Sequence, residues 1–159
     1  MLIILEGADG SGKTTLMKQL LEKGYMCKKL LRNEGSGKVM QVYNEGTRKD
    51  RLLVIDRSFI SDMVYRCNDN KPREDVDAGD AIYILNNSKI VYCKTYSQYE
   101  DSMARGEDNI TSKEDARQIA KTYDLFMTFF RKYTDVKIFE YDWHCQDADD
   151  VVNFIQEDC

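Results

Sequence analysis

Two short stretches carry residue types that could act together on one phosphorylated ligand. The first is Gly7-Ala8-Asp9-Gly10-Ser11-Gly12-Lys13-Thr14, which fits the pattern Gly-x-x-x-x-Gly-Lys-(Ser/Thr). Its glycines let consecutive backbone N–H groups turn inward around an oxyanion. A helix opening near Lys13 would point its positive end at the same spot. The lysine then reaches the β- and γ-phosphates of a nucleoside triphosphate, and the Thr14 hydroxyl can ligate Mg²⁺. Gly7, Asp9, Gly10, Ser11, Gly12, Lys13, Thr14 and Thr15 are the expected contacts to ATP. The second stretch is Asp56-Arg57. A carboxylate there can organise Mg²⁺ or take a proton from an attacking hydroxyl. An arginine can hold a phosphate in bidentate fashion and spread transition-state charge. Lys13, Asp56 and Arg57 are the expected catalytic groups, and Thr14 and Asp56 the expected metal ligands.

Both stretches need elements that bring them to one place. Residues 2–6 (Leu-Ile-Ile-Leu-Glu) form an apolar run that stops at glycine, which predicts a buried strand leading into the loop. Residues 13–23 predict a helix with Leu16, Met17, Leu20 and Leu21 inward and Gly24 as its stop. Residues 51–56 predict a second buried strand ending at Asp56. In an open α/β sheet, ligands bind beyond the carboxyl ends of the strands, so Asp56 and Arg57 are expected to face the phosphate loop.

The rest of the chain alternates strand and helix signals. Strands are expected at 25–31, 89–94 and 136–141. Helices are expected at 58–66, 74–86, 97–105, 112–132 and 147–157, and residues 35–49 are expected to be loop with at most a short helix. Asp147, Asp149 and Asp150 suit the start of the last helix. The alternation predicts an α/β fold, a three-layer P-loop NTPase sandwich whose parallel sheet has about five strands. One domain over residues 1–159 is expected, with a small lid near 103–112.

Composition excludes several classes. The chain has 159 residues, a net charge of −5 and one proline, a globular balance without linkers. Acidity disfavours a nucleic-acid polymer or an anionic membrane as partner. No apolar run approaches the roughly 20 residues of a membrane span, and residues 1–6 lack the features of a secretory signal. Five cysteines without a Cys-x-x-Cys pair, and a single histidine, predict neither a zinc site nor a disulfide framework and fit a reducing cytoplasm. The glycine spacing rejects a dinucleotide-binding Gly-x-Gly-x-x-Gly, and no Asn-Lys-x-Asp guanine reader occurs. A kinase of small acceptors is the class that remains.

The segment Leu5-Glu6-Gly7-Ala8-Asp9-Gly10-Ser11-Gly12-Lys13-Thr14-Thr15 resembles the opening of thymidylate kinases. Asp56-Arg57-Ser58-Phe59-Ile60-Ser61-Asp62-Met63-Val64-Tyr65 resembles their Asp-Arg-x-x-x-Ser-x-x-Ala-Tyr segment, in the same order and at a matching separation. Deoxynucleoside kinases carry a similar Glu-Arg-Ser-x-x-Ser-Asp. The chain is shorter than is usual among thymidylate kinases, as in compact viral or prophage members.

The resemblance implies transfer of the ATP γ-phosphate to a deoxynucleoside monophosphate, with a deoxynucleoside kinase or an ATP-binding regulator as alternatives. It places Arg57 at the acceptor phosphate and Ser61, Asp62 and Tyr65 near the acceptor's base or sugar. Tyr123 stands where a nucleotide-contacting tyrosine is common, and Arg32 could bind the acceptor phosphate. Arg105 would be the lid arginine. One lid arginine, where deoxynucleoside kinases have several, favours the monophosphate kinase. Arg66 departs from the glutamine often found after that tyrosine. A homodimer is a further implication.

Overall fold

A computed structural model describes residues 1–30, 35–48, 52–69, 76–94 and 112–157. Its centre is a five-stranded, wholly parallel sheet of β1 (Leu2–Glu6), β2 (Met26–Lys29), β3 (Leu53–Asp56), β4 (Ser88–Cys93) and β5 (Lys137–Tyr141), in the order β2-β3-β1-β4-β5. The expected α/β architecture is the observed one. The three inner strands are buried along their whole length, whereas β2 and β5 at the edges are partly exposed. This follows from their composition: each inner strand contains an apolar run (Leu2–Leu5, Leu53–Ile55, Ile90–Cys93) that both faces of a sheet can bury, whereas β2 and β5 are interrupted by lysine or glutamate.

Strand periodicity divides the core in two. Leu2, Ile4, Ile55 and Ile90 face one side, where α2 (Gly35–Arg48), α3 (Phe59–Asp69), α4 (Ala78–Asn86) and α5 (Lys113–Tyr133) cover them. Ile3, Leu5, Val54 and Val91 face the other, under α1 (Lys13–Glu22) and α6 (Ala148–Gln156). The inward residues of α5 include Ile119, Tyr123, Met127 and Phe130, one stripe at helical spacing.

Local chemistry sets the helix ends. Gly24, at φ 89°, ends α1 in a Schellman arrangement: Gly24 N–H donates to Leu21 O and Tyr25 N–H to Leu20 O, each at 3.0 Å. Asp147 and Asp150 form a capping box at the start of α6. Asp77 caps α4 and Ser112 caps α5.

The largest departure from expectation is α2. Residues 35–49 are polar and carry Gly35, Gly37 and Gly46, which suggests a loop, yet 35–48 are helical. Val39 and Val42, one turn apart, are fully buried against the sheet and α4, and that burial outweighs the low helix propensity of glycine. Leu21 departs as well: it is exposed rather than inward. The expected helix 97–105 and the lid near 103–112 lie outside the described residues, apart from Ser112. No described helix is long and apolar enough to cross a membrane.

Candidate active site

The phosphate loop begins where β1 ends. Gly7 has φ 144°, and a Cβ placed there would lie 2.3 Å from the carbonyl oxygen of Cys93 at the end of β4. Only glycine allows the loop to pass this close to the neighbouring strand. Gly10 and Gly12 are also left-handed, at φ 82° and 78°. Gly12 caps α1 without a side chain, and no acidic residue stands in the first turn. The positive end of α1 is thus left to the loop.

Lys13 is buried inside the loop it follows. Its Nζ donates to Gly7 O at 2.6 Å, Ala8 O at 2.7 Å and Ser11 Oγ at 3.1 Å, using all three donors. Burial lowers its pKa, and the positive charge of Arg57 adds to the effect. An anionic phosphate at this loop would relieve both. Thr14 and Thr15 are exposed.

The end of β3 delivers the second pair. Asp56 sits opposite Leu5 in the β1–β3 register and is buried. Its Oδ1 has no hydrogen-bond partner, and its charge acts on Lys13. Arg57 leaves the strand at φ 76°, a left-handed conformation that costs a non-glycine residue about 1–2 kcal/mol. The turn aims its guanidinium back over the phosphate loop, where Nη2 pairs with Asp9 Oδ1. Burial opposes the charge of Arg57, but Asp9, with Tyr65 and Tyr123, outweighs it and holds the pKa above the ordinary value. The structure thus joins Asp9, Lys13, Asp56 and Arg57 in one charged cluster.

Sequence reasoning missed Glu6. This carboxyl is fully buried beneath the loop, and four donors surround it. Ser58 N–H and Ser58 Oγ donate to Oε1 at 2.7 and 2.6 Å, and Ser61 Oγ donates to Oε2 at 2.6 Å. The Tyr123 hydroxyl donates to Oε2 at 3.3 Å and lies 2.9 Å from Ser61 Oγ. Burial raises the pKa of Glu6, against the bonds from Ser58 and Ser61 that favour its charge. Burial also holds the Tyr123 phenol well above its ordinary pKa. The available signal was an acidic residue closing an otherwise apolar strand, which must be satisfied if the strand is buried.

The other expected acceptor-side residues fall as follows. Ser61 and Tyr123 belong to the Glu6 network, so their hydroxyls face one another inside the protein. Asp62 is buried and its Oδ2 accepts from Gly35 N–H at 3.3 Å, at the start of α2. Tyr65 is buried on the same helix as Ser61 and Asp62. Trp143, half-exposed after β5, packs against Gly12 and stacks on His144 with ring centroids 3.8 Å apart. Arg32 and Arg105 lie outside the described residues.

The donor set fits a Mg²⁺ ion. Asp56 offers an unpartnered carboxylate oxygen and Thr14 an exposed hydroxyl, both hard oxygen ligands. Mg²⁺ in nucleotide sites is usually held by one or two such groups together with substrate phosphates and water. Among the described residues no cluster of three or more His, Cys, Asp or Glu could form an all-protein metal cage.

No family model matches the sequence, and no curated protein matches it. Solved structures do match the fold over nearly the whole chain. The YorR protein from Bacillus subtilis, solved in complex with phosphorylated GDP, superposes with a TM-score of 0.69 at 22% identity, covering 98% of this chain and 93% of that one. Deoxyadenosine kinase from M. mycoides with bound dCTP gives 0.62 at 19% identity, covering 99% and 100%. Thymidylate kinase from Ehrlichia chaffeensis gives 0.55 at 14% identity, covering 98% of each chain. At such identities the likeness is one of architecture: the chain has the fold of the nucleoside and nucleotide kinases.

Proposed function

We propose that this protein transfers the γ-phosphate of ATP to a deoxynucleoside monophosphate and releases ADP and the diphosphate. The observation that carries this reading is the convergence of Lys13, Asp56 and Arg57 on the glycine loop at the carboxyl ends of β1 and β3, next to the point where the winding of the sheet reverses. The loop's N–H groups, the start of α1 and Lys13 cradle the triphosphate. Arg57, charged and aimed over the loop, suits a phosphate-bearing acceptor better than a neutral one. Catalysis is then mostly positioning and charge neutralisation. Mg²⁺, held by Thr14 and Asp56, would neutralise phosphate charge when bound.

A deoxynucleoside kinase is the second reading. The unpartnered Oδ1 of Asp56 favours it, because a buried carboxylate oxygen beside the phosphate loop suits a base for a 5′-hydroxyl. The fold likeness to a deoxyadenosine kinase supports it too. A coupled ADP-release assay with Mg-ATP against deoxynucleosides and their monophosphates separates the two. Turnover with monophosphates alone is the expected result. Turnover with nucleosides alone would replace the first reading by the second. ATP binding without transfer to any acceptor would leave a regulator.

A further inference from the structure

We propose that Glu6 is the positioning residue that holds Arg57 in its working conformation, and that it does so by the reach of its carboxyl oxygens rather than by its charge. The proposal rests on the role given to Arg57 above. Arg57 alone among the described non-glycine residues has a positive φ. A left-handed arginine persists only where its flanks are fixed. On one side, Arg57 N–H donates to Leu5 O at 3.1 Å, extending the β1–β3 pairing by one residue. On the other, Ser58 N–H and Oγ both donate to Glu6 Oε1. Leu5 and Glu6 are consecutive on β1, so a single strand end grips both neighbours of the Arg57 side chain.

The second oxygen of Glu6 extends the grip. Oε2 takes Ser61 Oγ, one turn into α3, and Tyr123 Oη from the middle of α5. One side chain therefore ties β1, the first turn of α3 and α5 together immediately beneath the phosphate loop. Loss of reach at Glu6 leaves the buried N–H of Ser58 without its acceptor and frees residue 57 to relax to ordinary negative φ. The guanidinium would then swing away from Asp9 and the loop.

Two variants separate reach from charge. Glu6→Gln keeps an oxygen for Ser58 and presents an amide that donates to Ser61 Oγ, but removes the charge. Glu6→Asp keeps the charge but is one methylene short. The readouts are kcat and KM in the coupled assay, with and without Arg57→Ala, and the crystal structure of each variant.

The expected result is a loss of about 10²-fold in kcat/KM for the acceptor in Glu6→Asp, with KM for ATP unchanged, and retention within about threefold in Glu6→Gln. In the Arg57→Ala background, the Glu6→Asp loss should shrink below about threefold, because the two residues act as a unit. Residue 57 should leave the left-handed region in Glu6→Asp and stay there in Glu6→Gln.

The reverse order of the two variants would overturn the proposal. So would an undiminished Glu6→Asp loss in the Arg57→Ala background, or an unmoved residue 57 in Glu6→Asp. If Glu6→Asp fails to fold, Glu6→Gln decides: about a tenfold loss or a relaxed residue 57 overturns the proposal, and retention of both upholds it. If the wild type transfers phosphate to no acceptor, the functional reading fails, while the conformation of residue 57 in the two variants still decides the role of Glu6.

Discussion

The side chains of the candidate site are short of room and rich in charge, so single changes there have separable consequences. Lys13 spends its three donors on the loop itself. Lys13→Ala should abolish transfer while thermal melting still shows a folded protein, since the apolar packing of α1 through Leu16 and Leu20 is untouched. Near-normal turnover would remove Lys13 from the mechanism. Arg57→Ala should cost about 10²-fold in kcat/KM for the acceptor, and an unchanged value would make the Asp9 pair purely structural. Gly7→Ala is expected to be worse for the fold than either. Its Cβ meets backbone at 2.3 Å, and φ is 144°. A destabilisation of about 3 kcal/mol in urea unfolding is expected.

At the scale of elements, the two ends of the sheet do different work. The carboxyl ends hold the phosphate loop and Arg57. The amino end of β4 instead anchors the last helix. Lys89 is buried there and its Nζ donates to Phe154 O at 2.8 Å, to Ile155 O at 3.1 Å and to Glu157 O, closing the C-terminus of α6. These carbonyls have no partner within the helix, so a cation satisfies both their hydrogen-bonding capacity and the negative end of the dipole. Lys89→Met should cost about 2 kcal/mol of stability by denaturant titration. It should leave kcat and KM unmoved, because β4 separates it from the site by about four residues, roughly 13 Å. A kinetic defect matching the stability loss would mean that the two ends of the sheet are coupled.

For the whole molecule, the buried carboxyl of Glu6 makes stability depend on pH. Its folded pKa is raised above the ordinary 4.5 by burial. Below 4.5 the group is protonated in both states. Above it the unfolded chain ionises first, so stability is lost as pH rises from 4.5 toward the folded value. Glu6→Gln removes this dependence. Melting temperatures of the two proteins, compared at about pH 4 and pH 7, should therefore shift in favour of the variant at the higher pH. No such shift would mean that the hydrogen bonds of Ser58 and Ser61 cancel the cost of burial.

Motif and periodicity determine a good deal here without any structure. The glycine loop after an apolar strand, the Asp56-Arg57 pair after another, and the alternation of strand and helix signals lead directly to a parallel α/β sheet with its site at the strand ends. These are local features: backbone freedom at glycine, apolar runs, and turn and cap chemistry act within a few residues. The helix α2 was not legible, because its glycines and polar residues disfavour a helix until Val39 and Val42 find the sheet. Nor was the role of Glu6. A glutamate at a strand end becomes a keystone only when Ser58 from the turn after β3, Ser61 from α3 and Tyr123 from α5 close around it. The left-handed turn at Arg57 is decided in the same way. Intrinsic preference opposes it, and hydrogen bonds from residues about fifty positions away in the chain hold it. Short-range preference set the elements, and long-range satisfaction of buried polar groups set the site.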